Sequence, residues 1–127
     1  MVKTALVATE WELGKKMLAA LDDADLSISV AMWLYPQEYE DWRCVLAARS
    51  LDAAGPRDGY GLVHEALDRA GITYSQTPTL MIMRMNDPFI RDLRRVYGKT
   101  KSLEGLRLGL QTFGGRFVED ALVYRIR

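Results

Sequence analysis

Two hydrophobic periods alternate along the chain, and the changes of period mark its elements. Leu6, Leu13, Met17 and Leu21 recur on one face of a helix. Thr9 with Glu12 has the spacing of a capping box, placing the helix start there or nearer Thr4. Asp22, Asp23 and Asp25 oppose the macrodipole at the far end, so the helix should stop by about Asp22. From Ser27 to Tyr35 the period falls to two. Ile28, Val30, Met32 and Leu34 share one face; Ser27, Ser29, Ala31, Trp33 and Tyr35 share the other. After the polar turn Pro36-Gln37-Glu38-Tyr39-Glu40, Trp42 to Arg49 alternates again, which predicts an antiparallel hairpin.

Asp52 to Pro56 reads as a break, with Pro56 suited to the first position of a helix. Tyr60, Val63, Leu67 and Ala70 form its stripe, and Gly71 closes it. Thr79 to Met85 reads as a third strand. Asn86-Asp87-Pro88 then caps a short helix with the stripe Phe89, Leu93 and Val96, ending at Gly98. The last segment reads as a hairpin turning at Gly114-Gly115. That turn pairs Leu106 with Val123, Leu108 with Ala121, Gly109 with Asp120, Gln111 with Val118 and Thr112 with Phe117.

The predicted order is α-β-β-α-β-α-β-β. This is an α+β domain spanning 1–127, with a mainly antiparallel five-stranded sheet and helices mostly on one face. The last hairpin strains that picture. One face holds Leu106, Leu108, Leu110, Phe117, Ala121 and Val123, yet the other carries Phe113, Val118, Leu122, Tyr124 and Ile126. Both faces are too apolar for water. Either helices cover both, or the second face meets another subunit. Three helices are few for two faces, which favours an interface at Phe113, Val118, Leu122, Tyr124 and Ile126.

Composition narrows the function classes. The chain has 127 residues, 17 basic and 17 acidic, with one Cys and one His. A single cysteine excludes an intrachain disulfide, and a single histidine excludes a two-His metal motif. No cofactor and no metal ion are expected. No stretch approaches the roughly 18–20 apolar residues of a membrane span, and no targeting segment is recognised. The expected location is the cytoplasm. The neutral total conceals a split. Residues 1–83 carry seven basic and twelve acidic side chains, and residues 84–127 carry ten and five. The halves either compensate within one domain or present a basic surface to a partner.

Two chemistries compete with association. Arg91, Arg94, Arg95, Lys99 and Lys101 could hold nucleic acid or another polyanion, although no recognition helix or stacking motif accompanies them. A small enzyme could use Arg43, Arg57, Asp58, Tyr60 and His64 in a pocket. His64 is the acid–base candidate, with Asp68 one turn on. Cys44 lies on a strand face with Trp42 and Leu46, as a small hydrophobe would. Met81, Met83 and Met85 share a strand face, better read as core than as a binding surface. Trp33, Tyr35, Tyr39 and Trp42 could form either a stacking platform or ordinary cross-strand pairs.

Ala31-Met32-Trp33-Leu34-Tyr35, Trp42-Arg43, Gly55-Pro56-Arg57-Asp58 and the ending Phe117 to Arg125 together form a whole-chain pattern. The pattern resembles a family of small bacterial proteins whose function is not established. The resemblance implies a free-standing bacterial cytoplasmic domain and transfers no site residues. The doubly apolar last hairpin makes the leading expectation a non-enzymatic domain that pairs with itself as a homodimer or with a protein partner. Nucleic acid ranks behind, and no membrane partner is expected.

Overall fold

The computed structural model describes residues 6–36 and 38–127. The first helix, α1 (Ala8–Asp23), starts one residue before Thr9. Its N-cap is Val7, whose N–H donates to the Glu10 carboxylate at 3.3 Å, in place of the Thr9–Glu12 box. The alternative start near Thr4 and Gln37 of the polar turn lie outside the described residues. Met17 and Leu21 are buried, as the stripe requires.

Strands β1 (Val30–Tyr35) and β2 (Arg43–Ala47) form the expected antiparallel hairpin, with Trp33 opposite Cys44. A short helix absent from the sequence reading follows, α2 (Arg49–Ala54). At six residues with Leu51 alone buried, it has no period to read. Helix α3 (Pro56–Arg69) begins with Pro56 in the first turn, as predicted. A 3₁₀ turn, Tyr74–Gln76, leads into β3 (Leu80–Ile82). Among the described residues the strand pairs of the sheet are antiparallel, as expected, with one exception: β3 pairs parallel with β2. The chain between them carries two helices and can cross over the sheet, as a parallel pair demands.

Helix α4 (Pro88–Tyr97) has the predicted cap: the Asp87 carboxylate accepts the Phe89 N–H at 2.8 Å. Its buried stripe is Phe89, Ile90 and Leu93, while Val96 faces solvent, contrary to the predicted stripe. The last hairpin keeps its predicted register but not its plane. Its base is β4 (Arg107–Leu108) with β7 (Asp120–Ile126), pairing Leu108 with Ala121. Its tip is β5 (Gln111–Phe113) with β6 (Arg116–Val118), pairing Gln111 with Val118 and Thr112 with Phe117. The base joins the main sheet, ordered β3-β2-β1-β7-β4, and the tip is a separate ribbon. Leu110, at φ +56°, sits at the break.

Both sheet faces are therefore covered from within the chain. One face packs under α1, α2 and α3 through Ala31, Trp33, Tyr35, Leu46 and Tyr124. The other packs under α4 and the ribbon through Met32, Leu34, Val45, Ala121 and Val123. Among the described residues, three of the four α-helices thus share one face, as expected, and the second face is covered by α4 and the ribbon. The folded-over ribbon supplies the cover that a fourth long helix would otherwise have to provide. Met83 and Met85 are buried in this second core, in agreement with the packing reading.

Candidate functional site

Strand alternation gives the ribbon an inner and an outer face. Phe113 and Val118 point inward and are buried; Phe113 meets Phe89 edge-on, with centroids 6.5 Å apart. Thr112 and Phe117, directly opposite, share the outer face, and Leu110 precedes the ribbon at its break from the main sheet. Leu110 is 78% exposed and Phe117 42% exposed.

The five residues proposed for an interface do not form one surface. Phe113, Val118 and Ile126 belong to the core beneath α4, whereas Leu122 and Tyr124 pack toward the α1 side. A bulge in β7 opposite Ala31 and Met32 breaks the simple alternation. The doubly apolar pattern thus has its explanation inside the chain. The hairpin's exposed apolar side chains are instead Leu110 and Phe117, which the flat-hairpin reading had grouped with inward-facing residues.

Charge around the ribbon is internally matched. Arg107 grips the buried Asp120 with two hydrogen bonds of 3.0 and 2.6 Å. Arg116 pairs with Glu38 at 2.8 Å. The Glu38 carboxyl is held below its ordinary range by its own backbone N–H and then by Arg116. Glu38–Arg116 and Asp22–Arg125 both join the acidic first part to the basic second part. Internal compensation accounts for that much of the charge split.

The basic segment divides. Arg94 donates to the Arg127 carbonyl at 3.1 Å. Arg95 pairs with Asp92 at 2.6 Å, and Asp92 also accepts the Gly114 N–H at 3.0 Å. Those contacts, Arg95 first, hold the Asp92 carboxyl below its usual range. Arg91, Lys99 and Lys101 are exposed around α4 and beyond its C-terminal end. Cations near the C-terminus of a helix also complement the macrodipole.

The enzyme candidates scatter. Tyr60 and His64, one turn apart on α3, line a cleft of about 450 Å³ with Tyr74, Ser75, Thr77, Pro78, Thr79 and Leu80. Arg43 instead pairs with Asp41 at 3.2 Å and lies 3.6 Å over the Tyr39 ring. Arg57 and Asp58 are exposed in the first turn of α3 and are not in that lining. Sequence reasoning missed the 73–79 side of the cleft. Its signal is the run Thr73-Tyr-Ser-Gln-Thr-Pro, in which the Gln76 side chain accepts the Thr73 N–H at 3.0 Å.

Cys44 is buried in the sheet, where burial pushes its thiol up to about 12. Among the described residues, no group of three His, Cys, Asp or Glu could hold a metal ion. No helix of the described residues is long and apolar enough to cross a membrane. Trp33, Tyr35 and Trp42 are buried, and Tyr35 meets Trp42 edge-on at 5.5 Å, which fits cross-strand packing. No protein-family model, curated protein or solved structure matches the chain.

Proposed function

We propose that this protein is a non-enzymatic, cytoplasmic association domain that pairs with a second copy of itself through the outer face of the β5–β6 ribbon. The observation that carries the reading is Leu110. A large apolar side chain there is 78% exposed and sits at φ +56°. A left-handed backbone costs a non-glycine residue about 1–2 kcal/mol, and exposure returns almost no burial within the chain. A contact outside the chain would give this leucine a favourable role. Phe117, 42% exposed, is a second exposed apolar side chain of the ribbon.

A second copy fits for electrostatic reasons. The chain is neutral overall, so two copies meet no net repulsion. Arg107 and Arg116, the cations of the ribbon region, are each already paired with a carboxylate. A symmetric contact therefore brings no uncompensated arginines together.

Size-exclusion chromatography with light scattering tests the reading. The wild-type mass should be that of a dimer at micromolar concentration, and Leu110→Asn with Phe117→Ser should give a monomer. Leu110→Gly should weaken the dimer while stabilising the isolated fold by about 1 kcal/mol. A wild-type monomer, or a dimer indifferent to both substitutions, would overturn it.

A further inference from the structure

The cleft beside β3 lies at the opposite edge of the main sheet from β4, and the association reading does not use it. Its lining contains no Asp, Glu, Lys or Arg. A cationic ligand would meet no carboxylate there, and an anionic one no lysine or arginine. Hydroxyl groups dominate instead, from Tyr60, Tyr74, Ser75, Thr77 and Thr79. Each hydroxyl can both donate and accept.

Their commitments leave usable valences. The Tyr60 hydroxyl accepts the Ile82 N–H at 3.1 Å, so Tyr60 is held in place by the β3 backbone. Thr77 donates to the Thr73 carbonyl at 2.9 Å, so its oxygen remains an acceptor. Ser75 lies 3.1 Å from the Thr73 hydroxyl. Beside these groups stand two rings: His64 and Tyr74 meet with centroids 5.0 Å apart and planes tilted by 45°. Tyr74 is 78% exposed, so the fold gains little from its ring. An aromatic face carries negative quadrupole density and attracts weakly positive C–H groups.

We infer that this cleft binds a neutral, polyhydroxylated ring compound, the chemistry of a saccharide. The ligand's C–H face packs against Tyr74, and its hydroxyls exchange hydrogen bonds with Ser75, Thr77 and Thr79. A cavity of about 450 Å³ falls within the size range of small-molecule sites.

The test is a titration of the isotope-labelled full chain, followed by amide NMR, with glucose, galactose, mannose and N-acetylglucosamine up to tens of millimolar. The expected result is saturable shifts from at least one sugar, concentrated at residues 60–64 and 74–80. Tyr74→Ala should weaken that binding roughly tenfold, and Tyr74→Phe should retain most of it. Thermal melting should confirm that both variants fold, since the side chain is exposed. Absence of saturable shifts from all four sugars overturns the inference. So does binding indifferent to Tyr74→Ala, or a stronger response of the same amides to inorganic phosphate or acetate.

Discussion

The two faces of the main sheet are closed by different means. Toward α1 the cover is a helical layer tied down by polar contacts. The Trp33 indole N–H donates to the Tyr124 hydroxyl at 2.8 Å, which in turn donates to the Trp11 carbonyl at 2.7 Å. Tyr124 also stacks on Trp11 at 4.1 Å. Gly14 makes this possible, because a Cβ there would overlap the Tyr124 hydroxyl. Burial pushes the Tyr124 phenol well above its ordinary range, with the Trp33 bond opposing it. Toward α4 the cover is apolar: Phe89, Ile90 and Leu93 from the helix, Phe113 and Val118 from the ribbon. That face is clamped at its rim, where Asp92 accepts the Gly114 N–H. Gly114 sits at φ +55°, and a Cβ on it would strike the Pro88 carbonyl. A small sheet can thus bury both faces when a hairpin tip bends away to act as a lid for one of them.

That contrast can be broken most forcefully at Phe89. Phe89→Ala empties the centre of the apolar core and should cost about 3–5 kcal/mol in urea unfolding. Tyr124→Phe tests the polar side. It leaves the Trp33 N–H buried without this acceptor and should cost about 1–3 kcal/mol, with a change in tryptophan fluorescence. If Tyr124→Phe cost more than Phe89→Ala, the assignment of an apolar core to the α4 side would fail.

The smallest effect is expected at the α1 rim. Arg125 donates to Asp22 through both terminal nitrogens, each at 2.8 Å. Its hydrogen bonds hold the Asp22 carboxyl below the usual range despite some opposing desolvation. A depressed carboxylate stabilises the fold above the unfolded pKa and loses that contribution as pH falls through the folded one. Both side chains are partly solvated, so Asp22→Asn should cost below about 1 kcal/mol at neutral pH. The gap from wild type should close as pH falls below about 4. Urea midpoints at neutral and acidic pH measure it, and a gap widening toward acid would contradict the assignment.

Much of the candidate chemistry was only half readable. Tyr60 and His64 share a helix face by spacing, so their convergence follows from α3 alone. Tyr74, Ser75 and Thr79 join them because the chain returns beside α3 before entering β3. No local period encodes that return. Leu110 was visible as an apolar residue in an alternating run, but its exposure depends on a break in the plane of the hairpin. The apolar face opposite it was equally visible, and its burial required knowing that α4 lies above it.

Local chemistry along the chain determined the caps and turns: Pro56, Gly71, the Asp87–Pro88 start and the Gly114–Gly115 turn with its register. Those depend on allowed backbone angles and hydrogen bonds between near neighbours, which residue type dictates directly. Tertiary contact decided the parallel β2–β3 pair, the strand order and the bend that turns a hairpin tip into a cover. Each of these rests on residues distant in sequence meeting in space, as Tyr124 meets Trp11 and Gly114 meets Pro88. Their free energy exists only once both partners are in place.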